Sequence, residues 1–178
     1  ERQKECRVPE GIRHRTPCEL CKEMVLERGK LLPHTWVLGD DEFGRNADLR
    51  VDLHRAKERY ALDVPGRTAV CDARQAQAEK YESHLSWTQA RNWKDTIPAE
   101  QWPRVVVRDG SKGPVVYYAI RRRVRARWRR RLSPVEEWLL VTRTDAAVPE
   151  YSYHLSDADE SISLEDLVRA VRSRYWIE

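Results

Sequence analysis

Trp36-Val37-Leu38-Gly39-Asp40-Asp41-Glu42-Phe43-Gly44-Arg45 is the stretch on which the fold turns. Thr35 to Gly39 is short and apolar through Trp36, Val37 and Leu38, which predicts a buried strand. Asp40 stands at its carboxyl end, where ligands and catalytic groups collect in open α/β sheets. Asp41 and Glu42 extend it into an acid cluster. Hard divalent cations such as magnesium take carboxylate oxygens at such a place. Acids at a helix N-terminus are equally favoured by the helix dipole, so the cluster alone leaves both readings open.

Working outward, Asn46 can cap a helix whose inner face carries Leu49, Leu53 and Ala56. Tyr60-Ala61-Leu62-Asp63-Val64 reads as the next strand, closed by Pro65-Gly66. The crossover is short, so the two strands are expected to be parallel in one sheet. Upstream, Thr16-Pro17-Cys18-Glu19 combines a cap, a proline at the first helical position and a capping-box acid. Leu20, Cys21, Met24 and Val25 would be its apolar stripe, and Gly29 its end.

Residues 67–100 are polar and irregular, with a helical stretch near Gln75 to Glu82. The character then changes. Arg104-Val105-Val106-Val107 and Val115-Val116-Tyr117-Tyr118 flank Asp109-Gly110-Ser111-Lys112-Gly113, a hairpin signal. Trp138 to Val141 and Tyr151 to Leu155 form a second expected pair around Asp145 to Pro149. An antiparallel β block thus sits inside an α/β frame.

Ser163-Leu164-Glu165-Asp166 opens a last helix, with Leu164, Leu167, Val168, Val171 and Tyr175 on one stripe. Glu178 falls about 40° from Leu164 at 100° per residue, on that same stripe. A carboxylate there needs a partner, and Arg174, one turn back, can supply it. The other reading is a frayed end with Glu178 in water.

Eight of the eleven residues from Arg121 to Arg131 are arginine. On a strand Arg121, Arg123, Arg125 and Arg127 share one face, a row of guanidinium groups matched to a phosphate backbone. Arginines also protect edge strands from aggregation, but eight exceed what that needs.

The 178 residues fit one domain, or one with an insertion. Hydrophobic residues make up 40%, which allows a real core. Charged residues make up 35%, yet 33 basic and 29 acidic side chains leave a net charge of only +4, so placement of charge matters more than its sum. The longest apolar run, Val115 to Ile120, falls far short of the ~20 residues of a membrane span. No Walker loop, GxGxxG, GxSxG or HExxH is present, which argues against P-loop, Rossmann, α/β-hydrolase and zinc-protease chemistry. Cys18 and Cys21 form a CxxC without a second close pair; Cys6, His14 and Cys71 are the remaining candidates. The pair reads more simply as two small helical residues than as a zinc site.

Taken in order, these segments resemble a bacterial insertion-sequence transposase of the DDE superfamily, whose core is ribonuclease-H-like. Asp40 to Gly44 is similar to the Asp-x-x-aromatic-Gly element of the family's second catalytic Asp. Arg7-Val8-Pro9-Glu10 and Arg15 to Leu20 resemble the lead-in to its strand. Gly110 to Pro114 and Glu137 to Val141 resemble its β insertion. Tyr153-His154-Leu155-Ser156, with Arg174 to Glu178, resembles the segment carrying the catalytic Glu. In the family pattern Tyr-x2-Arg-x3-Glu-x6-Lys, Arg174 and Glu178 match, Val171 stands in place of Tyr, and the Lys falls beyond Glu178.

The resemblance implies an α/β fold, a ribonuclease-H-like catalytic core interrupted by an antiparallel β insertion. Residues 1–66 would belong to the core, 67–160 mainly to the insertion and 161–178 to the start of the Glu-bearing helix. The first catalytic Asp is expected upstream of residue 1, which makes the chain a fragment or truncated copy. Implied roles are Asp40 and Glu178 as catalytic metal ligands for two Mg2+ (or Mn2+) ions and Arg174 as a catalytic positioning or phosphate-contacting group. Arg121, Arg123, Arg125, Arg127, Arg129 and Lys112 would contact DNA. The implied activity is cleavage at transposon ends and strand transfer, by a cytoplasmic, nucleoid-associated homodimer with no membrane partner. The alternatives are an inactive DNA-binding remnant and an unrelated nucleic-acid-binding β domain.

Overall fold

The computed structural model describes residues 12–111 and 113–174. It is mixed α/β, built on one open mixed sheet. The expected parallel pair is present: β1 (Val37–Gly39) lies parallel to β2 (Tyr60–Asp63), Val37 opposite Tyr60 and Gly39 opposite Leu62. Between them run α2 (Asp41–Gly44) and α3 (Ala47–Arg55), the second capped by Asn46, whose side chain accepts the Leu49 amide at 3.0 Å. Because β1 and β2 are parallel, α3 runs back against both, so its first turn lies at their carboxyl ends.

α1 (Pro17–Glu23) starts as expected, with Thr16 and Glu19 forming a reciprocal capping box. Its buried face is shifted from the predicted one. Cys18, Cys21, Val25 and Leu26 pack on the cluster of Val37, Leu49, Leu53, Tyr60 and Leu62, while Leu20 and Met24 are 46% and 67% exposed. The small thiol of Cys18 lets α1 approach the start of α2, its Sγ 3.8 Å from the Glu42 carbonyl oxygen. Close approach, not side-chain hydropathy, selects the face. The helix then widens into a π turn over Met24–Arg28 and passes Gly29 into a 3-10 turn, instead of stopping there.

Both expected antiparallel pairs form. β5 (Arg104–Gly110) pairs with β6 (Gly113–Trp128), and β8 (Glu137–Thr144) pairs with β9 (Tyr151–Ser156). β6 is 16 residues long and joins the sheet together. It pairs with β8 over Tyr117–Val124, with β3 (Ala69–Asp72) over Val124–Ala126, and with β7 (Arg131–Leu132) at its end. β4 (Thr88–Gln89) adds to β3, and β9 pairs with β2, giving the order β1-β2-β9-β8-β6-β3-β4. One sheet therefore runs through both the α/β frame and the β block.

β3 lies inside the stretch expected to be irregular. It is only four residues long, yet Val70 and Cys71 are fully buried. Asp72 then caps α4 (Ala73–Ala78) by accepting the Arg74 amide.

The sheet is covered on both faces. Val64, Val70, Val124, Leu139, Val141 and Leu155 form one core. Ala61, Val105, Ala119 and Leu140 form the other, under α5 (Leu164–Ser173). Ser163 caps α5 through the Asp166 amide, and the predicted stripe residues Leu167, Val168 and Val171 are buried beneath it. No helix among the described residues is long and apolar enough to cross a membrane.

Candidate functional site

Asp40 follows β1 with extended backbone, and its Oδ1 accepts the Glu42 amide at 3.0 Å, capping the four-residue α2. Gly44 ends that helix against the backbone of β2. A Cβ there would fall far inside van der Waals contact with the Asp63 carbonyl oxygen. The missing side chain lets α2 lie on the end of β2, which accounts physically for the Asp-x-x-aromatic-Gly spacing. Asp40, Asp41 and Asp63 then line one open pocket together with Tyr151, Tyr153 and Arg174.

Asp63 is the hub of this pocket. His154 Nδ1 lies 2.6 Å from its Oδ1, and Arg174 Nη2 donates to its Oδ2 at 3.1 Å. Burial pushes the Asp63 carboxyl up, but the His154 hydrogen bond and the Arg174 and Arg172 charges outweigh it and hold the carboxyl below its ordinary value. His154 is fully buried on β9, and that burial pulls its pKa down despite the Asp63 carboxylate. The imidazole is therefore neutral, with Nδ1–H donating to Asp63. Arg172, the next-to-last residue of α5, lies over the Tyr117 ring and donates to the Thr142 hydroxyl.

A second buried network supports the pocket from below. Arg50 Nε donates to Glu137 Oε1 at 2.8 Å, and the Tyr60 hydroxyl donates to the same oxygen at 2.7 Å. Arg50 also donates to the Gly44 carbonyl. All three side chains are almost completely buried. Burial first, then the Glu137 charge, raises the Tyr60 phenol well above its ordinary pKa. The network pins α3, α2 and β2 to β8.

The arginine row lies on β6 with the predicted alternation. Val124 and Ala126 enter the core, and the odd-numbered arginines take the opposite face. That face is not bare. Arg121 and Arg123 lie over the Trp138 ring, 4.3 and 4.1 Å from its centroid. Arg121 also donates to the Ile162 carbonyl at 2.6 Å, and burial with the Arg123 charge pulls its pKa down. Arg123 lies 3.7 Å from Glu136 and 3.9 Å from Glu160. Arg125 donates to the Ser133 carbonyl at 2.8 Å, and Arg127 covers the Trp87 ring at 4.6 Å. Arg129 pairs with Asp48 at 3.0 Å.

Of the predicted site residues, Asp40 and Arg174 share the pocket, while Glu178 and Lys112 lie outside the described residues. Asp63 was missed as a site residue, although it carries Asp40's own signal, an acid at the carboxyl end of a buried strand. His154 and the Arg50–Glu137–Tyr60 network have no local signal at all. Among the described residues no group of three His, Cys, Asp or Glu side chains is placed to hold a metal ion. Cys18, Cys21 and Cys71 are free thiols, and Cys6 lies outside the described residues. No family model matches the chain, and no curated protein sequence matches it.

Proposed function

We propose that the chain is the central part of a DDE-type DNA transposase, built on a ribonuclease-H-like core with a β insertion. Such an enzyme cleaves phosphodiester bonds at transposon ends and joins the freed ends to target DNA. The observation that carries this reading is the meeting of Asp40 and Arg174 at one pocket on the carboxyl ends of β1 and β2. The two residues come from opposite ends of the chain, each from the segment that resembles the family's catalytic elements. Among the described residues β1 has a strand partner on one side only, which leaves room beside Asp40 for an Asp-bearing strand.

Asp40, in this reading, is one acid of the catalytic set and Glu178 another. Arg174, held by Asp63, faces the pocket as the phosphate-positioning cation. Asp40 gives one oxygen to the Glu42 amide and Asp63 is taken by His154 and Arg174, so the described residues alone do not make a Mg2+ or Mn2+ site. Two ions would need Glu178 and the further Asp as well. DNA is the partner, gripped by the arginine-rich end of the β block, and the reading carries with it a homodimer working at the bacterial nucleoid. A nucleic-acid-binding domain without catalysis is the second reading, favoured by the absence of a three-acid group among the described residues.

Nicking of supercoiled plasmid in Mg2+ is the deciding measurement, on the protein expressed with its full flanking reading frame. Nicking that Asp40→Asn abolishes, with duplex binding retained, is the expected result. The 178 residues alone should bind without nicking. Nicking that survives Asp40→Asn overturns the assignment.

A further inference from the structure

The β6–β7 hairpin turns through Arg129 and Arg130, with Trp128 opposite Arg131. Both loop residues have positive φ, 47° and 65°. A two-residue loop of this kind is a type I′ turn, and Asn-Gly is the pair that fits it without steric cost. Arginine carries a Cβ into the left-handed region at both positions. Backbone outliers of this sort are kept where the side chains have work to do.

The side chains around the turn divide into two groups. Trp128 Nε1 and Arg129 Nε both donate to Asp48 Oδ1, at 2.6 and 3.0 Å. Asp48 is in the first turn of α3, so the hairpin is clamped to that helix. Arg130 and Arg131, in contrast, are exposed, and neither guanidinium forms an ion pair or hydrogen bond with a described residue. Arg121, Arg123 and Arg125 on the strand face are already engaged by protein groups. Within the Arg121–Arg131 row, the tip keeps guanidinium donors that no described protein group accepts.

We infer that this hairpin tip, through Arg130 and Arg131, grips the phosphate backbone of duplex DNA. The inference rests on the DNA-acting reading above and adds to it the contacting element. Guanidinium forks match phosphate oxygens in pairs, and each phosphate neutralised releases counterions. The contact is to the backbone, so it is independent of base sequence.

Arg130→Gly separates contact from architecture, since glycine suits the turn and removes only the cation. The measurement is anisotropy of a labelled short duplex over a salt series, with a urea denaturation curve on the same protein. Affinity should fall about tenfold and the log–log salt slope should become shallower by about one, for all sequences alike. The urea midpoint should rise, because the strained position is relieved. Arg130→Lys should keep the slope. A raised midpoint with unchanged affinity and slope overturns the hairpin contact and leaves the DNA reading standing. A parent chain with no salt-dependent affinity for duplex overturns both. Preference for phosphatidylserine vesicles over duplex would make the tip a lipid contact and also overturn the proposal.

Discussion

Asp63 and Arg174 stand 111 residues apart in the chain and meet at 3.1 Å, Nη2 to Oδ2. The contact ties the end of α5 to the end of β2. It sets where the chain leaves α5, and so where the guanidinium faces the pocket that Asp40 lines. The opposite oxygen of Asp63 is held by a neutral, buried histidine, so the carboxylate can neither turn nor retreat without breaking a bond. A charged anchor this well fixed is a means of aiming a cation.

Asp63→Ala should remove both bonds and leave His154 Nδ1 buried without its acceptor. The expected cost is about 2 kcal/mol in urea denaturation. Arg174→Ala should cost less, because the histidine bond survives. Equal costs would mean that Asp63 acts mainly through Arg174.

Acidification should weaken the fold in two stages. His154 has a folded pKa below its ordinary 6.5, so the unfolded chain takes up a proton that the folded chain refuses. Its contribution is full above that value and declines as pH falls below it. The Asp63 pKa is also lowered, from 3.8, so its contribution is full above 3.8 and is lost as pH falls through the folded value. His34, raised by its bonds to the Leu32 carbonyl and Glu58, works in the opposite sense, so the informative curve is the difference from a variant. His154→Asn should flatten the upper stage of the urea-midpoint profile and leave the lower one.

Gly44→Ala should be far more damaging than an ordinary glycine substitution in a short helix. Its Cβ meets main chain, which cannot swing aside as a side chain can. We expect a loss of about 3 kcal/mol, at the upper end for overpacking. Thermal melting of the variant would show it, and a shift within error of Gly29→Ala, whose added Cβ would meet only side-chain atoms, would refute the close-approach account.

Glu137→Leu should cost about 3–5 kcal/mol, since Arg50 is left charged and buried without its partner. Arg50→Met combined with Glu137→Leu should recover most of that loss. A double variant as unstable as the sum of the singles would show that the two residues act independently.

Much of the frame is legible in residues 35–66, because local rules suffice there. A capping Asn, an apolar run ending in an acid and a Pro-Gly stop determine the β1–α3–β2 unit with little help from elsewhere. Thr16 and Ser163 announce their helices in the same way. β3 escapes because four residues carry no period, and its burial comes from β6, more than fifty residues downstream by the register Val70 to Ala126. The α1 face escapes because a thiol next to a carbonyl is worth more in close packing than an exposed Leu20 or Met24. Arg50, Glu137 and Tyr60 look like three unremarkable residues until the fold places them on one oxygen. At the Arg129–Arg130 turn the composition suggests a strand continuing, and only the backbone shows that the chain reverses there.

The pairing of β2 with β9 has a consequence for the order in which the molecule can be made. Ser156 donates to the Tyr60 carbonyl across 96 residues of chain, and β2 has no other neighbour on that side. During synthesis the β1–α3–β2 unit leaves the ribosome long before the strand that covers it. Its edge stays open until the hairpins of β5, β6 and β8 have formed and β9 docks. Non-local closure of this kind is slow, and the wait exposes a strand edge to other nascent chains. The rate-limiting event in maturation should therefore be the docking of β9, with early release or truncation before residue 151 yielding aggregates instead of a smaller folded domain.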